Sequence, residues 1–525
     1  MTRERRPSVA LPVLAGVILA LAHPPARLLL PAFVGLVPLL VFIGERPPGP
    51  AGRWDATRAG LVTGALYFGI QLYWLAVALV RYSALAIPAY LGAVLVLTAF
   101  TGAFAWAVHT TRERLRLPIA LLAPLFWTLL EWTQGHLGDL AFPWLGLGAA
   151  LAPFPTLAGA ADLVGSRGLT VWVAAINGIL AAALLRFRAG RPVRATLAAG
   201  LLAFAIPAAY GAARAASLEP RPVARVAVVQ PNIPEDVKLD PRIALDSSLA
   251  ALTRLTRTLE AEPLDLVVWP EVALPVDLAR DTLLRRRVRA MSRMLDAPIV
   301  VGAYGVDHRD DDVTAFNSAF LIDAAGPAGA GARYDKRRLV PFVERVPFID
   351  PGLLEPWMTE LRYFGALEHG REKPVLMTRG GARFGVLICY ESIFDDLSRE
   401  YRRAGADFLV NITNDAWYGR ETWWGRTAAL WQHPAHMVLR AIETRTGVAR
   451  AANTGISMFV DPLGRTYERT PLFQPAVRVA TVFTTDQTTL SVRWGDWLAT
   501  LAALAAAMAL LAAARTRSQD GHSMD

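Results

Sequence analysis

Three residues at the ends of apolar runs carry chemistry that is coherent if they meet. Cys389, the single cysteine of the chain, closes the run in FGVLICYESIF (384–394). Glu271 follows an apolar run and a proline in LDLVVWPEVALP (264–275), and Lys336 sits among charges in ARYDKRRLVPF (332–342). A thiol is only slightly ionised near neutral pH, and a carboxylate within hydrogen-bond reach can take its proton. An ammonium beside both groups favours the thiolate and stabilises the oxyanion formed when sulfur attacks a carbonyl, with the Tyr390 main-chain N–H as a second donor. In that arrangement Cys389 is a nucleophile, Glu271 a general base and Lys336 the oxyanion-stabilising cation. Each residue also has a plainer role open to it: a small buried hydrophobe, a charge at a helix N-terminus, a solvated lysine. A lone cysteine excludes an internal disulfide, so Cys389 is no staple.

The segments around these residues predict how they are positioned. Between 220 and 490, the β-branched runs VARVAVVQ, LDLVVWPE, APIVVGAY, FGVLICYE and ADFLVNIT alternate with polar, helix-compatible stretches. That pattern predicts an α/β domain with a buried sheet. Open α/β sheets bind ligands beside the carboxyl ends of their strands, which places Glu271 and Cys389 on one edge.

The rest of the chain is more apolar than a soluble protein: 54% of the 525 residues are hydrophobic and 19% charged. Apolar stretches over 9–22, 28–44, 59–80, 84–108, 117–130, 168–185, 195–213 and 497–514 predict eight transmembrane helices. Residues 140–161, interrupted by Pro143, Pro153 and Pro155, predict irregular structure near an interface. The net charge of +9 is explained by position and calls for no nucleic-acid partner, because arginines cluster in alternate loops. Arg3, Arg5 and Arg6, then Arg46, Arg53 and Arg58, then Arg112, Arg114 and Arg116, then Arg186, Arg188, Arg191 and Arg194 mark one side; Arg27, Arg81 and Arg167 are the sparse cations of the other. Both termini are then cytoplasmic and 214–493 is extracytoplasmic. The expected domains are 1–213 (seven helices), 214–493 (catalytic) and 494–525 (last helix and tail). RERR, a short apolar core and Ala20-Leu21-Ala22 also fit a cleaved signal peptide, with the same downstream orientation. Of the 54 cationic residues only Lys238, Lys336 and Lys373 are lysines.

WPEVALP, YDKRRLVPFVERVPF and GVLICYESIF, in this order, resemble the Glu-Lys-Cys signatures of the nitrilase, or carbon-nitrogen hydrolase, superfamily. The likeness extends through VVQPNIP (228–234), NITNDAWYG (411–419) and HPAHMVLRAIETRTGVARAANTGIS (433–457). On a scaffold of seven spans before and one after, it resembles the apolipoprotein N-acyltransferase family, as do YFGIQLYWL (67–75) and FPWLGLG (142–148). The resemblance implies an αββα sandwich and a bacterial inner-membrane enzyme without a cofactor or metal. It further implies a phospholipid acyl donor, a thioester on Cys389, and transfer to the α-amine of a diacylglyceryl apolipoprotein. Glu271 corresponds to the family's base, Lys336 to its oxyanion lysine, Glu344 to a second glutamate that orients the lysine, and Tyr390 and Glu391 to the residues after the cysteine. Leu239 stands where some members have an aromatic residue.

Phe348, Trp357, Met358, Tyr363, Phe364, Trp423 and Trp424 are candidate loop residues for dipping into a bilayer interface as a lid. His433 and His436 share a helix face without the partners a metal site needs, and Glu131, His136 and Asp139 fit a solvated outer interface. Competing functions are a membrane-tethered amidase or nitrilase using the same three residues, and a non-catalytic transporter or scaffold with a nitrilase-like binding module.

Overall fold

The computed structural model describes residues 8–522 except 81–85, 241–242, 310–311, 327–330 and 349–366. Arg3, Arg5, Arg6, Arg81, Trp357, Met358, Tyr363 and Phe364 fall outside the described residues.

Two sheets stack in the 221–484 region. The first contains β1 (Arg221–Gln230), β2 (Leu266–Val268), β3 (Leu274–Asp277), β4 (Ile299–Arg309), β5 (Asp312–Ile322), β6 (Ala332–Asp335) and β13 (Ala476–Thr484), in the order β13-β1-β2-β4-β5-β6 with β3 on β4. The second contains β7 (Leu376–Met377), β8 (Arg383–Ile388), β9 (Phe408–Thr413), β10 (Gly447–Ala452), β11 (Met458–Val460) and β12 (Thr466–Tyr467), in the order β12-β11-β10-β9-β8-β7. The central strands are parallel, β1-β2-β4 in one sheet and β8-β9-β10 in the other. Strand β1 shows why these runs are continuously apolar. Val226 and Val228 face the second sheet, in one core with Val386, Ile388, Val410 and Ile412. Ala227 and Val229 face outward, onto Leu252, Val288 and Met291 of the helices Ala244–Arg257 and Thr282–Leu295. With both faces covered, neither set of alternating side chains can be polar. The Thr282–Leu295 helix starts where the Asp281 carboxylate accepts the Leu284 N–H at 2.9 Å, and it buries Leu284, Val288, Met291 and Leu295 along one stripe. Helices Asp395–Arg403 and Ala429–Thr444 cover the second sheet, completing a helix-sheet-sheet-helix sandwich.

Helices occupy each apolar stretch of the helical domain: α1 (Ala10–Leu21), α2 (Leu29–Val34), α3 (Val37–Gly44), α4 (Pro50–Gln71), α5 (Trp74–Leu79), α6 (Ala86–Leu115), α7 (Ile119–Gly135), α8 (Ala161–Arg188), α9 (Arg194–Ser217) and the final Trp497–His522 helix. Two expected spans differ. The 28–44 stretch breaks between α2 and α3, and the 59–80 stretch becomes α4, which begins at Pro50 and takes in polar Arg53 and Asp55, followed by the short α5. Pro50 presets the first turn of α4, so the helix starts ahead of its apolar portion. Residues 138–160 form only short 3₁₀ turns. Among the described residues, four helices are long and apolar enough to cross a membrane. One of them, α9, exposes Leu197, Leu201, Leu202 and Ile206 along its length, and its 24 residues rise about 36 Å at ~1.5 Å each, enough for a hydrocarbon core of ~30 Å.

Buried ion pairs lock the two domains together. Asp162 on α8 accepts from Arg445 Nη2 at 2.9 Å and Nε at 3.0 Å, from Arg214 Nε at 3.0 Å and from the Tyr210 hydroxyl at 2.9 Å. Arg167, also on α8, pairs with Asp395 of the sandwich (3.1 Å) and with Asp496 before the last helix, and Arg399 pairs with the same two carboxylates at 2.7 and 3.0 Å. Removing one member of such a cluster leaves a buried charge uncompensated. Asp162→Ala is therefore expected to cost ~3–5 kcal/mol and to release the sandwich first, read as a lowered thermal midpoint in detergent with protease cleavage near residue 217.

Candidate active site

Glu271, Lys336 and Cys389 stand just past the carboxyl ends of β2, β6 and β8, and the fold brings these ends together. Lys336 Nζ lies 3.2 Å from Glu271 Oε1 and 2.8 Å from Glu344 Oε1. Asn317 on β5 donates to the same two oxygens at 2.8 and 2.9 Å. The far oxygens are held by main chain: the Asn414 N–H donates to Glu271 Oε2 and the Val340 N–H to Glu344 Oε2, each at 2.8 Å. Lys336, read in the sequence as open to a solvated role, is only 1% exposed. The loop after β6 turns inward, because its main-chain N–H groups are captured by buried carboxylates.

These contacts set the charges. Burial pushes the Glu271 carboxyl up, but the Lys336 ammonium and the Asn317 and Asn414 donors outweigh it and hold the group below its usual range. Burial pushes Lys336 down, and Glu271 and Glu344 more than reverse this, so the ammonium stays protonated. Burial and then the Glu271 charge push the Cys389 thiol up, and Lys336 offsets this only in part. The resting state is a neutral thiol beside a carboxylate and an ammonium.

Cys389 adopts φ +50°, a left-handed conformation that is uncommon for a residue with a side chain and that turns β8 sharply into the Cys389–Ile393 3₁₀ turn. Glu391 fixes this elbow. Its Oε2 accepts the Ile388 N–H at 2.7 Å, while Oε1 accepts the Tyr334 hydroxyl and the Arg337 N–H, each at 2.7 Å. One buried carboxylate thus ties the Cys389 turn to the loop that carries Lys336. The Cys389 carbonyl accepts from His433 Nε2 at 3.0 Å. His433 Nδ1 lies 2.9 Å from Asp415 Oδ1, so both ring nitrogens face acceptors; burial and Arg450 push the ring's pKa down and outweigh the upward pull of Asp415 and the Cys389 carbonyl.

An aromatic cluster lies beside the thiol, and Trp144 within it belongs to the helical domain. The Tyr418 hydroxyl is 4.0 Å from Sγ. Trp144 stacks on His433, meets Tyr418 edge-on and donates from Nε1 to Gln432 at 2.7 Å. Tyr390 donates to the Ala141 carbonyl at 2.8 Å. The proline-interrupted stretch after α7 is therefore a wall of the site. Within it, Glu131 is not solvated: it is buried and accepts from Trp127, Thr170 and the Leu147 N–H, because the sandwich and the 3₁₀ turns close over it. His136 and Asp139 are exposed. Of the described loop aromatics, Phe348, Trp423 and Trp424 are exposed, and the Leu239 side chain lies outside the described residues. Among the described residues no group of three His, Cys, Asp or Glu side chains is arranged to hold a metal.

The pattern of strand ends did not single out Asn317, Tyr418 or the His433-Arg450 pair. Asn414 and Asp415 were signalled by the polar pair closing the apolar run in NITND, and Lys238 by the scarcity of lysine.

Comparison with known proteins agrees with this architecture. Residues 225–489 match the carbon-nitrogen hydrolase family model, and residues 15–179 match the apolipoprotein N-acyltransferase N-terminal domain. A solved amidase from Nesterenkonia sp. AN1 covers 54% of this chain and 95% of its own at 19% identity, with a TM-score of 0.36. The apolipoprotein N-acyltransferase of Chlorobaculum tepidum is 31% identical, covering 97% of both chains. That of Geobacter metallireducens is 34% identical over 516 residues, covering 96% of this chain and 95% of its own. With both halves of its architecture matched and relatives aligned almost end to end, the chain belongs to the apolipoprotein N-acyltransferase family.

Proposed function

We propose that Cys389 carries an acyl chain between two lipids. Its sulfur attacks the ester carbonyl of a membrane phospholipid as Glu271 takes the thiol proton. The oxyanion forms beside Lys336, and its collapse expels a lysophospholipid that receives the proton from Glu271. The α-amine of an S-diacylglyceryl-cysteine at an apolipoprotein N-terminus then attacks the thioester and loses a proton to Glu271; the C–S bond breaks, the amide leaves, and Glu271 returns the proton to the Cys389 sulfur. Glu344 orients Lys336, Glu391 sets the Cys389 turn, and Tyr390 forms part of the acyl wall. The carrying observation is the contact of Lys336 with Glu271 and Glu344 at the foot of a buried thiol whose walls come partly from an apolar helical domain. Because donor and acceptor are both lipid-anchored, that placement lets them reach one sulfur without leaving the bilayer surface.

The arrangement in the membrane is part of the same proposal. Eight spans, domains at 1–213, 214–493 and 494–525, cytoplasmic termini and an extracytoplasmic sandwich are supported by arginine positions. Arg46 follows α3, Arg53 and Arg58 open α4, Arg112 and Arg114 close α6, and Arg186 and Arg188 close α8, whereas α9 leads into the sandwich at its other end. Exposed Trp423, Trp424 and Phe348 suit contact with the interface as a lid.

Mass spectrometry of the protein incubated with phospholipid is expected to show one fatty-acyl group on the Cys389 peptide, discharged by a diacylglyceryl-cysteine peptide to an N-acyl product. Release of free fatty acid without any amide would assign a hydrolase instead. Lys336→Arg keeps the charge but replaces a compact ammonium by a planar guanidinium, and should lower thioester formation by ~10²–10³-fold. Wild-type acylation in that variant would remove Lys336 from the mechanism. Burial and then the Glu271 charge raise the thiol pKa and Lys336 lowers it, so Glu271→Gln removes the main charge opposing Lys336 while burial still acts. Iodoacetamide should then label Cys389 of Glu271→Gln faster than wild type at pH 8, with the labelling curve moved to lower pH, while acyl transfer collapses. An unmoved or upward-moved curve would contradict this charge assignment.

A further inference from the structure

Two of the chain's three lysines converge on Glu271. Lys336 meets its carboxylate; Lys238, in the Glu235–Leu239 turn of helix, approaches it from the main-chain side. Lys238 Nζ donates to the Glu271 carbonyl at 3.3 Å and to the Val272 carbonyl at 3.1 Å. The turn it caps is strained. Val272 has φ +44°, a conformation that is strained for a β-branched residue and persists only where surroundings impose it. The opposite side of the turn is equally tight: a Cβ on Gly302 would lie 2.3 Å from the Pro270 carbonyl and 2.8 Å from Glu271 Cα, so β4 can press on this turn only with glycine there. Nothing in the acyl-transfer steps uses Lys238.

We propose that Lys238 is a positioning residue for the general base: its ammonium gathers two successive carbonyls, holds the Glu271-Val272 turn in its strained form and so keeps the Glu271 carboxylate aimed at Cys389. The role rests on the reading of Glu271 as base. A single compact ammonium can serve two adjacent carbonyls from one point, which a forked guanidinium does less well, so a lysine here in an arginine-rich chain has a physical reason. The same segment is anchored beyond the turn. Glu235 accepts from Asn414 Nδ2 at 3.0 Å, and the Asn414 N–H holds Glu271 Oε2, so Glu235, Asn414 and Lys238 grip both ends of the base. The groups facing Glu271 from the packed elements are Lys336, Lys238, Cys389, Tyr304 and Tyr418, with Glu344 beyond the Lys336 ammonium. Lys238 is thus one of two cations that favour the ionised base, its other acidic neighbour being Glu235.

The test is the pH profile of single-turnover thioester formation on Cys389, measured with the full-length protein in phosphatidylethanolamine and phosphatidylglycerol vesicles, for Lys238→Met, Lys238→Gln, Lys238→Arg and Glu271→Gln. Lys238→Met and Lys238→Gln should acylate on the order of ten to a hundred times more slowly. Their acid limb should move to higher pH, since a cation favouring the carboxylate is gone, while the thermal midpoint changes little. Lys238→Arg should keep the acid limb and still acylate more slowly. Rates within twofold of wild type on an unmoved profile in the neutral variants would overturn the proposal. If neither neutral variant accumulates in the membrane, Lys238→Arg decides: a wild-type rate there would overturn it. Glu271→Gln separates the two readings, because acylation surviving in that variant would reject Glu271 as base, whereas its loss alongside normal Lys238 variants would reject only the role given to Lys238.

Discussion

The site depends on one buried cation held between two carboxylates. An ammonium removed from water is tolerable only when its hydrogen bonds and its charge are both answered. Lys336 has Glu271 at 3.2 Å and Glu344 at 2.8 Å, and Asn317 bridges the same two oxygens. Because both carboxylates are also gripped by main-chain N–H groups, the lysine cannot relax toward one without breaking bonds to the other. Its position is therefore determined by three separate strand ends, and the strands must be in register for the charges to balance. The cysteine contributes no charge in the resting state, which keeps the cluster from carrying a third anion. A preformed thiolate here would add a negative charge to two carboxylates sharing one nearby lysine. The proton therefore leaves the sulfur as the carbonyl is attacked, when the new negative charge moves onto oxygen beside the ammonium.

That electrostatic core is coupled to the helical domain by touch. The Ala141 carbonyl accepts the hydroxyl of Tyr390, next to Cys389, and Trp144 lies on His433, which holds the Cys389 carbonyl. The ion pairs of Asp162 and Arg167 keep the 141–160 stretch against the sandwich, so the domain interface and the wall of the site are one surface. A sandwich cut away from its helices would lose that wall together with its docking contacts. Burial of the ion-pair groups also means that the interface is specific in register: a shift by one helical turn would strand several charges in an apolar seam.

Much of this was legible in the sequence because strand ends announce themselves. An apolar, β-branched run stopping at Glu271 or Cys389 is a local signal, and burial of both sheet faces makes the run continuous, hence easy to read. The order of Glu, Lys and Cys motifs identified the superfamily for the same reason. What stayed hidden is what depends on contacts distant in sequence. The charges flanking Lys336, Asp335 and Arg337, left a solvated role open beside the oxyanion role, because the burial that Glu271 and Glu344 impose on it comes from contacts across the fold. Glu131 looked solvated because its partners Leu147 and Thr170 arrive from later segments. Helix boundaries failed where hydropathy is not the deciding term: Pro50 begins α4 ahead of the apolar stretch, and the α2-α3 break lies inside an apolar one.

The same geometry bears on why an amine rather than water should receive the acyl group. Cys389 is 6% exposed, with the Tyr418 hydroxyl 4.0 Å from Sγ and Trp144 packed edge-on against Tyr418. An amine is the stronger nucleophile and needs its proton removed only as the new bond forms. An acceptor held at the bilayer surface by its own acyl chains would reach the carbonyl at high effective concentration. Selectivity for transfer over hydrolysis would then follow from that anchoring together with the burial of the thiol.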